Sequence, residues 1–306
     1  MNYLILTPDG VGSTILQRLI TITLYLEKQN VVNTHELTNG IELRNKIATK
    51  NFDLKYTQSL GEISDILQNS QAQTSLVSRI AKYHLDNRND PVDDCQKFYG
   101  FVNQHFGKKI MCIRENIFEY AMSWSIRDKS GITNVYNQND RNKVQQVSQI
   151  DENYFIMKCQ QYVKYIEWVE NNFSNVETVS YENMIKKSDE VLEKVTGYTN
   201  TLIKRIGIPL SSILRNEYDF LTKGQESNLT KDQMRFLARY KILCEEIITK
   251  DLVLGVPLKN TTLADKHKQI KNFDVCLDKF YKFAKNYNWI DQSKATYDFW
   301  HETHVC

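Results

Sequence analysis

Proline is scarce in this chain, 4 in 306 residues, and glycine is little commoner at 11. Set against 41% hydrophobic and 25% charged residues, that scarcity excludes a fibrous, low-complexity or disordered chain. Cysteine is sparse as well. The six, at 95, 112, 159, 244, 276 and 306, include no CxxC pair, and a core of this size needs no covalent staples, so reduced thiols are expected. Long apolar runs are missing. Leu19–Leu26 is interrupted by Thr21, Thr23 and Tyr25, and the opening Met1–Asp9 has no basic stretch before its short apolar run. An excess of one charge is missing too: 39 Lys and Arg against 37 Asp and Glu leave +2, which excludes a protein held to nucleic acid by charge. The expectation is a cytoplasmic chain with no membrane span and no nucleic-acid partner. Its length suits one large domain, or one with an appendage.

What is present is an alternation of short apolar runs and longer helical periods. Tyr3–Thr7 ends in Pro-Asp-Gly and reads as a buried strand; Ser13–Lys28 carries Ile15, Leu16, Leu19, Ile20 and Leu24 at helical spacing. Further strands are expected at Val31-Val32, Thr74–Ser78, Lys109–Ile113 and Val176–Val179, with helices over Asn116–Arg127 and Glu152–Asn171. Strands alternating with helices predict an α/β fold, a three-layer arrangement around a parallel sheet covered on both faces. Beyond Gly207-Ile208-Pro209 the pattern turns almost wholly helical, on Lys231–Lys250 and Asp265–Asn286. The expected division is therefore an α/β domain over 1–224 and a helical extension over 225–306 packed on it.

The segment between the first strand and first helix, Thr7-Pro8-Asp9-Gly10-Val11-Gly12-Ser13-Thr14, has the features of an anion loop. Its glycines let the backbone turn tightly and approach a ligand, and the helix it opens offers unpaired N–H groups and a favourable dipole. Ser13 and Thr14 add hydroxyls. The same residues also suit an ordinary strand-to-helix turn with an N-cap serine. A nucleoside triphosphate loop needs Gly-Lys-Ser/Thr after a second glycine, and Gly12 is followed directly by Ser13, which disfavours a kinase or ATPase.

A second element lies at Lys109–Trp124. Arg114 closes a strand, and the following helix carries Ser123 nine residues on, with Trp124 after it. Strand ends and helix starts on one edge of a parallel sheet share a crevice, so Arg114 and Ser123 could offer a charged fork and a hydroxyl to a phosphate group. Pairing of Arg114 with Glu115 or Glu119 is the structural alternative. Together the two elements resemble the sulfotransferases that use PAPS, 3′-phosphoadenosine 5′-phosphosulfate. Gly12-Ser13-Thr14 is similar to that family's 5′-phosphosulfate loop, which is P-loop-like. Ile113-Arg114-Glu115-Asn116 through Ala121-Met122-Ser123-Trp124 is similar to its 3′-phosphate motif, in the spacing of bacterial trehalose-type carbohydrate enzymes. Ser180-Tyr181-Glu182-Asn183-Met184 resembles a further family turn, and the resemblance spans residues 5–184.

The resemblance implies transfer of a sulfuryl group from PAPS to a hydroxyl of a small polyhydroxylated or carbohydrate acceptor, releasing adenosine 3′,5′-bisphosphate, with no metal. Gly10, Val11, Gly12, Ser13 and Thr14 would take the 5′-phosphosulfate. Arg114 and Ser123 would take the 3′-phosphate, joined by Lys223 of Thr222-Lys223-Gly224-Gln225. Glu36 is the first candidate for the general base and His35 the second, in Asn33-Thr34-His35-Glu36-Leu37. One position departs from the family. A Lys or Arg usually stands two residues before the second glycine; here Gly10 occupies that place and Asp9 precedes it, so Arg18, Arg44 or Arg79 would have to supply the charge. Two alternatives keep the same residues: a non-catalytic nucleotide-binding module with a degenerate loop, and a P-loop small-molecule kinase. A homo-oligomer stays open. His301, His304 and Cys306 read as tail rather than metal site. The aromatic series Tyr154, Phe155, Tyr162, Tyr165, Trp168 reads as core, and Lys266–Lys271 and Lys279–Lys285 as solvated helix faces.

Overall fold

The computed structural model describes residues 1–27, 31–38, 59–70, 75–86, 88–132, 138–198, 263–293 and 295. Five strands are present among them: β1 (Tyr3–Thr7), β2 (Val31–Glu36), β3 (Ser75–Ala81), β4 (Lys108–Ile113) and β5 (Val176–Ser180). The helices up to β5 are α1 (Ser13–Leu26), α2 (Leu60–Ser70), α3 (Lys82–Asp86), α4 (Val92–His105), α5 (Ile117–Ser130), α6 (Gln138–Gln145) and α7 (Glu152–Asn172). After it come α8 (Tyr181–Lys186), α9 (Ser188–Thr196), α10 (Leu263–Gln269) and α11 (Phe273–Ala284). The expected Lys231–Lys250 helix and the Gly207-Ile208-Pro209 turn lie outside the described residues. None of the described helices is long and apolar enough to cross a membrane.

The chain forms two compact units, one from Met1–Ile113 with Glu167–Gly255, the other from Arg114–Ile166 with Val256–Cys306. The expected boundary at 224/225 falls within residues outside the described set.

The first unit is an α/β structure around one parallel sheet in the order β2-β3-β1-β4-β5. Successive side chains of a strand point to opposite faces. Every residue of β1 and of β3 is buried, so both faces of the sheet's centre are covered. From β1 the chain crosses to β2 at one edge, returns through β3, and then places β4 on the other side of β1. That reversal makes the carboxyl end of β1 a topological switch point, the place where open α/β sheets bind ligands. The Thr7–Thr14 loop leaves from that point. Lys109, buried in β4, donates to the Phe106 carbonyl at 3.1 Å just beyond the end of α4, so a charged side chain in a core strand is spent on orphan helix carbonyls.

The second unit is helical where described. Phe118 of α5 sits edge-on to Phe155 of α7 and to Phe273 and Phe280 of α11, with centroids 5.2–5.6 Å apart. The predicted Asp265–Asn286 helix is interrupted at Ile270–Asn272. There Asn272 donates to the Ile150 carbonyl at 3.0 Å and accepts from its N–H at 3.3 Å, so the break clasps another backbone. The aromatic series of α7 is core as expected at Phe155, Tyr162 and Tyr165. The solvated-face reading of Lys266 is corrected: its side chain is buried, for a reason given below.

The four cysteines among the described residues, Cys95, Cys112, Cys159 and Cys276, are free thiols. Burial raises those of Cys112 and Cys276 from the ordinary 9.0 to about 12, and raises Cys159 in the same direction. Because the unfolded chain gives up these protons first, the stability tied to them is whole below pH 9.0 and is lost as the pH climbs toward about 12. Buried Lys109 and Lys266, pushed down from 10.5, contribute in the opposite sense as the pH approaches that value from below. With these thiols and the raised Tyr3 and Tyr99 on one side, the urea midpoint is expected to fall between about pH 9 and about pH 10.5, with a shallower fall in Cys112→Ala. A midpoint independent of pH over that range would contradict this assignment.

Candidate functional site

In the first unit the loop after β1 has left-handed backbone at Asp9 (φ 76°), Gly10 (φ 71°) and Gly12 (φ 76°). Asp is among the few non-glycine residues that tolerate this region, and the Asp9 N–H is held by the Thr7 hydroxyl at 3.1 Å. Gly12 has a second reason to lack a side chain. A Cβ there would lie 2.6 Å from Tyr181 and 2.9 Å from Met184, both on α8. The Ser180–Met184 segment thus acts as the wall against which the loop closes, and Ser180 fixes it by accepting from the Asn183 N–H at 3.1 Å. Cys112 of β4 donates to the Val11 carbonyl at 3.4 Å from the other side.

A cation reaches the loop from the neighbouring strand β3. Arg79 of β3 is 4% exposed, and its guanidinium donates to the hydroxyls of Ser13 (3.3 Å) and Thr14 and to the carboxylate of Glu36. Strand register explains the pairing. The register of β2 on β3 shifts between Asn33 and His35, and that shift puts Glu36 directly opposite Arg79; an unbroken register would have put His35 there. Arg79 is also the register partner of Ile5 on β1. Its Nε is buried with no hydrogen-bond partner among the described residues. Near this pair stands Tyr83 of α3, whose phenol is pushed up by burial and by the carboxylates of Asp9 and Glu36.

A guanidinium can only donate. Ser13 and Thr14 therefore receive its N–H bonds on their oxygens, which leaves their own hydroxyl protons to donate. Of the three arginines considered from sequence, Arg79 reaches the loop; the Arg18 side chain and Arg44 lie outside the described residues. The sequence signal for it is a lone charge in the otherwise uncharged segment Ser75–Ala81. Glu36 is 8% exposed and belongs to β2, which runs further than the Val31-Val32 strand expected. The His35 side chain and Lys223 lie outside the described residues.

The second unit holds the other predicted pair. Asn116 caps α5 by accepting from the Glu119 N–H at 2.9 Å. Tyr162 grips Arg114 by both backbone groups, its hydroxyl accepting from the N–H at 2.7 Å and donating to the carbonyl at 2.8 Å. Arg114 and Ser123 meet through two further residues. Glu119, one helical turn before Ser123, lies 3.7 Å from the Arg114 guanidinium and 3.0 Å from Lys266 Nζ. Lys266, from α10, also donates to Ser123 Oγ at 2.9 Å. Arg114 thus stands near the carboxylate of Glu119, one of the two partners that the structural alternative named. Burial pushes Lys266 down from its ordinary range, Glu119 draws it back up, and Arg114 and Arg127 push it further down. Arg127 and Lys158 also stand over the Trp124 ring, 5.2 and 4.6 Å from its centroid.

Compared with known proteins, the chain matches no family model and no curated protein.

The loop's closure against Tyr181 is expected to be intolerant of any side chain at Gly12. Gly12→Ala should lose roughly 1–3 kcal/mol from overpacking and about 1–2 kcal/mol more from its left-handed backbone, read as a urea midpoint. A loss below about 0.5 kcal/mol, the range of ordinary surface changes, would mean the loop is not closed this way.

Proposed function

We propose that the protein is a PAPS-dependent sulfotransferase acting on a hydroxyl of a small polyhydroxylated or carbohydrate acceptor, in the cytoplasm. One observation carries the reading: Arg79 donates to both hydroxyls that follow the loop's second glycine, at the sheet's switch point, and so occupies the role of the cation that the loop sequence lacks. In this reading the loop is P-loop-like in function. The N–H groups of Gly10 to Thr14 and the protons of Ser13 and Thr14 face the phosphosulfate, and Arg79 stabilises the charge that builds on the moving group. Arg114 and Ser123 take the 3′-phosphate.

The reaction forms a bond from the acceptor oxygen to sulfur and breaks the bond from sulfur to the oxygen of the 5′-phosphate, releasing adenosine 3′,5′-bisphosphate. Glu36 takes the acceptor's proton. Its pairing with Arg79 gives it a second duty, because a buried guanidinium needs a counter-charge while no anion is bound. An arriving sulfonate takes over that duty and leaves the carboxylate to act as base. His35 is the alternative base.

Calorimetric titration without metal, using adenosine 3′,5′-bisphosphate beside ADP and ATP, tests the reading. Selective binding of the 3′,5′-bisphosphate is expected, and saturation at a hundred times the dissociation constant should stabilise the fold by about 2.7 kcal/mol. No binding favours the degenerate-module reading, and Mg²⁺-dependent ATP turnover favours the kinase. Glu36→Gln is expected to lower the thermal midpoint, to bind the bisphosphate at least as tightly, and to slow sulfuryl transfer by about 10²–10⁴-fold. A two-fold loss of turnover, measured by product release from PAPS, would move the base elsewhere.

A further inference from the structure

Lys266 is a fully buried lysine, and the sulfotransferase reading gives it no task. It belongs to the C-terminal part of the chain, which carries none of the resemblance, yet it touches two residues of α5: Glu119 at 3.0 Å and Ser123 at 2.9 Å. Burying an ammonium is costly unless it is paired and hydrogen-bonded. Glu119 attracts Lys266, whereas Arg114 and Arg127 repel it, so one carboxylate and two guanidinium groups act on an ammonium that is already desolvated. The Ser123 hydroxyl accepts from Lys266 and thereby keeps its own proton to donate. A buried ammonium, a guanidinium whose backbone is clamped by Tyr162, and a hydroxyl with a proton to give are together suited to a phosphate monoester dianion.

We propose that Lys266 is a ligand-binding residue, which with Ser123 and Arg114 forms the seat for a phosphate monoester, Glu119 serving as the internal counter-ion that holds the lysine in place before the anion arrives. The proposal rests on the sulfotransferase reading for the identity of the anion, the 3′-phosphate of the cofactor. It gives the C-terminal segment a direct part in binding.

The test compares adenosine 3′,5′-bisphosphate with adenosine 5′-monophosphate, which lacks only the 3′-phosphate, on full-length wild-type and variant protein by calorimetry. Lys266→Met keeps the volume of the buried side chain and leaves Glu119, which is partly exposed, to be solvated. It is expected to weaken the bisphosphate by about 10–100-fold, the worth of a charge-assisted hydrogen bond, and to leave the monophosphate unchanged. Ser123→Ala retains the Lys266–Glu119 pair and is expected to lose a smaller part of the same preference, which covers the case in which Lys266→Met does not fold. If wild-type protein prefers the bisphosphate and both variants keep that preference, the seat is overturned and the sulfotransferase reading stands. Wild-type protein that binds neither nucleotide overturns both.

Discussion

The pair of Arg79 and Glu36 is the interaction on which the first unit depends. A guanidinium in a strand buried on both faces loses its water and must recover hydrogen bonds and a counter-charge from the protein. It does so by reaching three side chains in two parts of the chain: Glu36 on β2 and the hydroxyls of Ser13 and Thr14 on α1. These contacts tie the edge strand and the first helix to the middle of the sheet, at the end where the chain reverses direction. The register shift in β2 belongs to the same arrangement, since without it another residue would face the arginine. Gly12, closed against Tyr181, then leaves the loop few other shapes.

The second unit repeats the device with different residues. Lys266 stands to Ser123 and Glu119 as Arg79 stands to Ser13, Thr14 and Glu36: a buried cation, a hydroxyl on a helix that accepts from it, and a carboxylate that balances it. In each case the hydroxyl keeps a proton that it can give to an oxyanion. In each case the carboxylate holds the cation's geometry, and under the proposed function it would compete with an arriving anion. Such a site is preorganised at a cost in affinity, because the internal ion pair must be loosened before the ligand is held.

Local pattern carried much of this in the sequence. Tyr3–Thr7 as a buried strand, the loop glycines before a helix, the strand ending before Arg114 and the aromatic core of α7 all follow from periodicity and turn chemistry, and all are present. The parallel sheet followed from the alternation of strands and helices. What was hidden depends on contacts between residues far apart in the chain. Nothing near Arg79 in sequence says that Ser13 and Glu36 will meet it, because that meeting requires a strand order and a register shift. Lys266 sits in a charge-rich helix that looks solvated, and its burial follows only from the distant Glu119 and Ser123. The extension of β2 through Glu36 was hidden by the polar Asn33-Thr34-His35, which breaks the apolar pattern at the point where the register shifts.

The claim that Arg79 serves as the loop's missing cation is best tested by removing it together with its counter-charge. In an Arg79→Met, Glu36→Gln double variant no buried charge is left unpaired, so the fold is expected to persist, as replacement of a whole buried pair usually allows. PAPS affinity, measured by calorimetry against wild type, should then fall by about 10–100-fold, the loss expected when a charge-assisted contact to an anion is removed. A folded double variant that binds PAPS as tightly as wild type would contradict the account, since Arg79 would then be only a strut of the sheet.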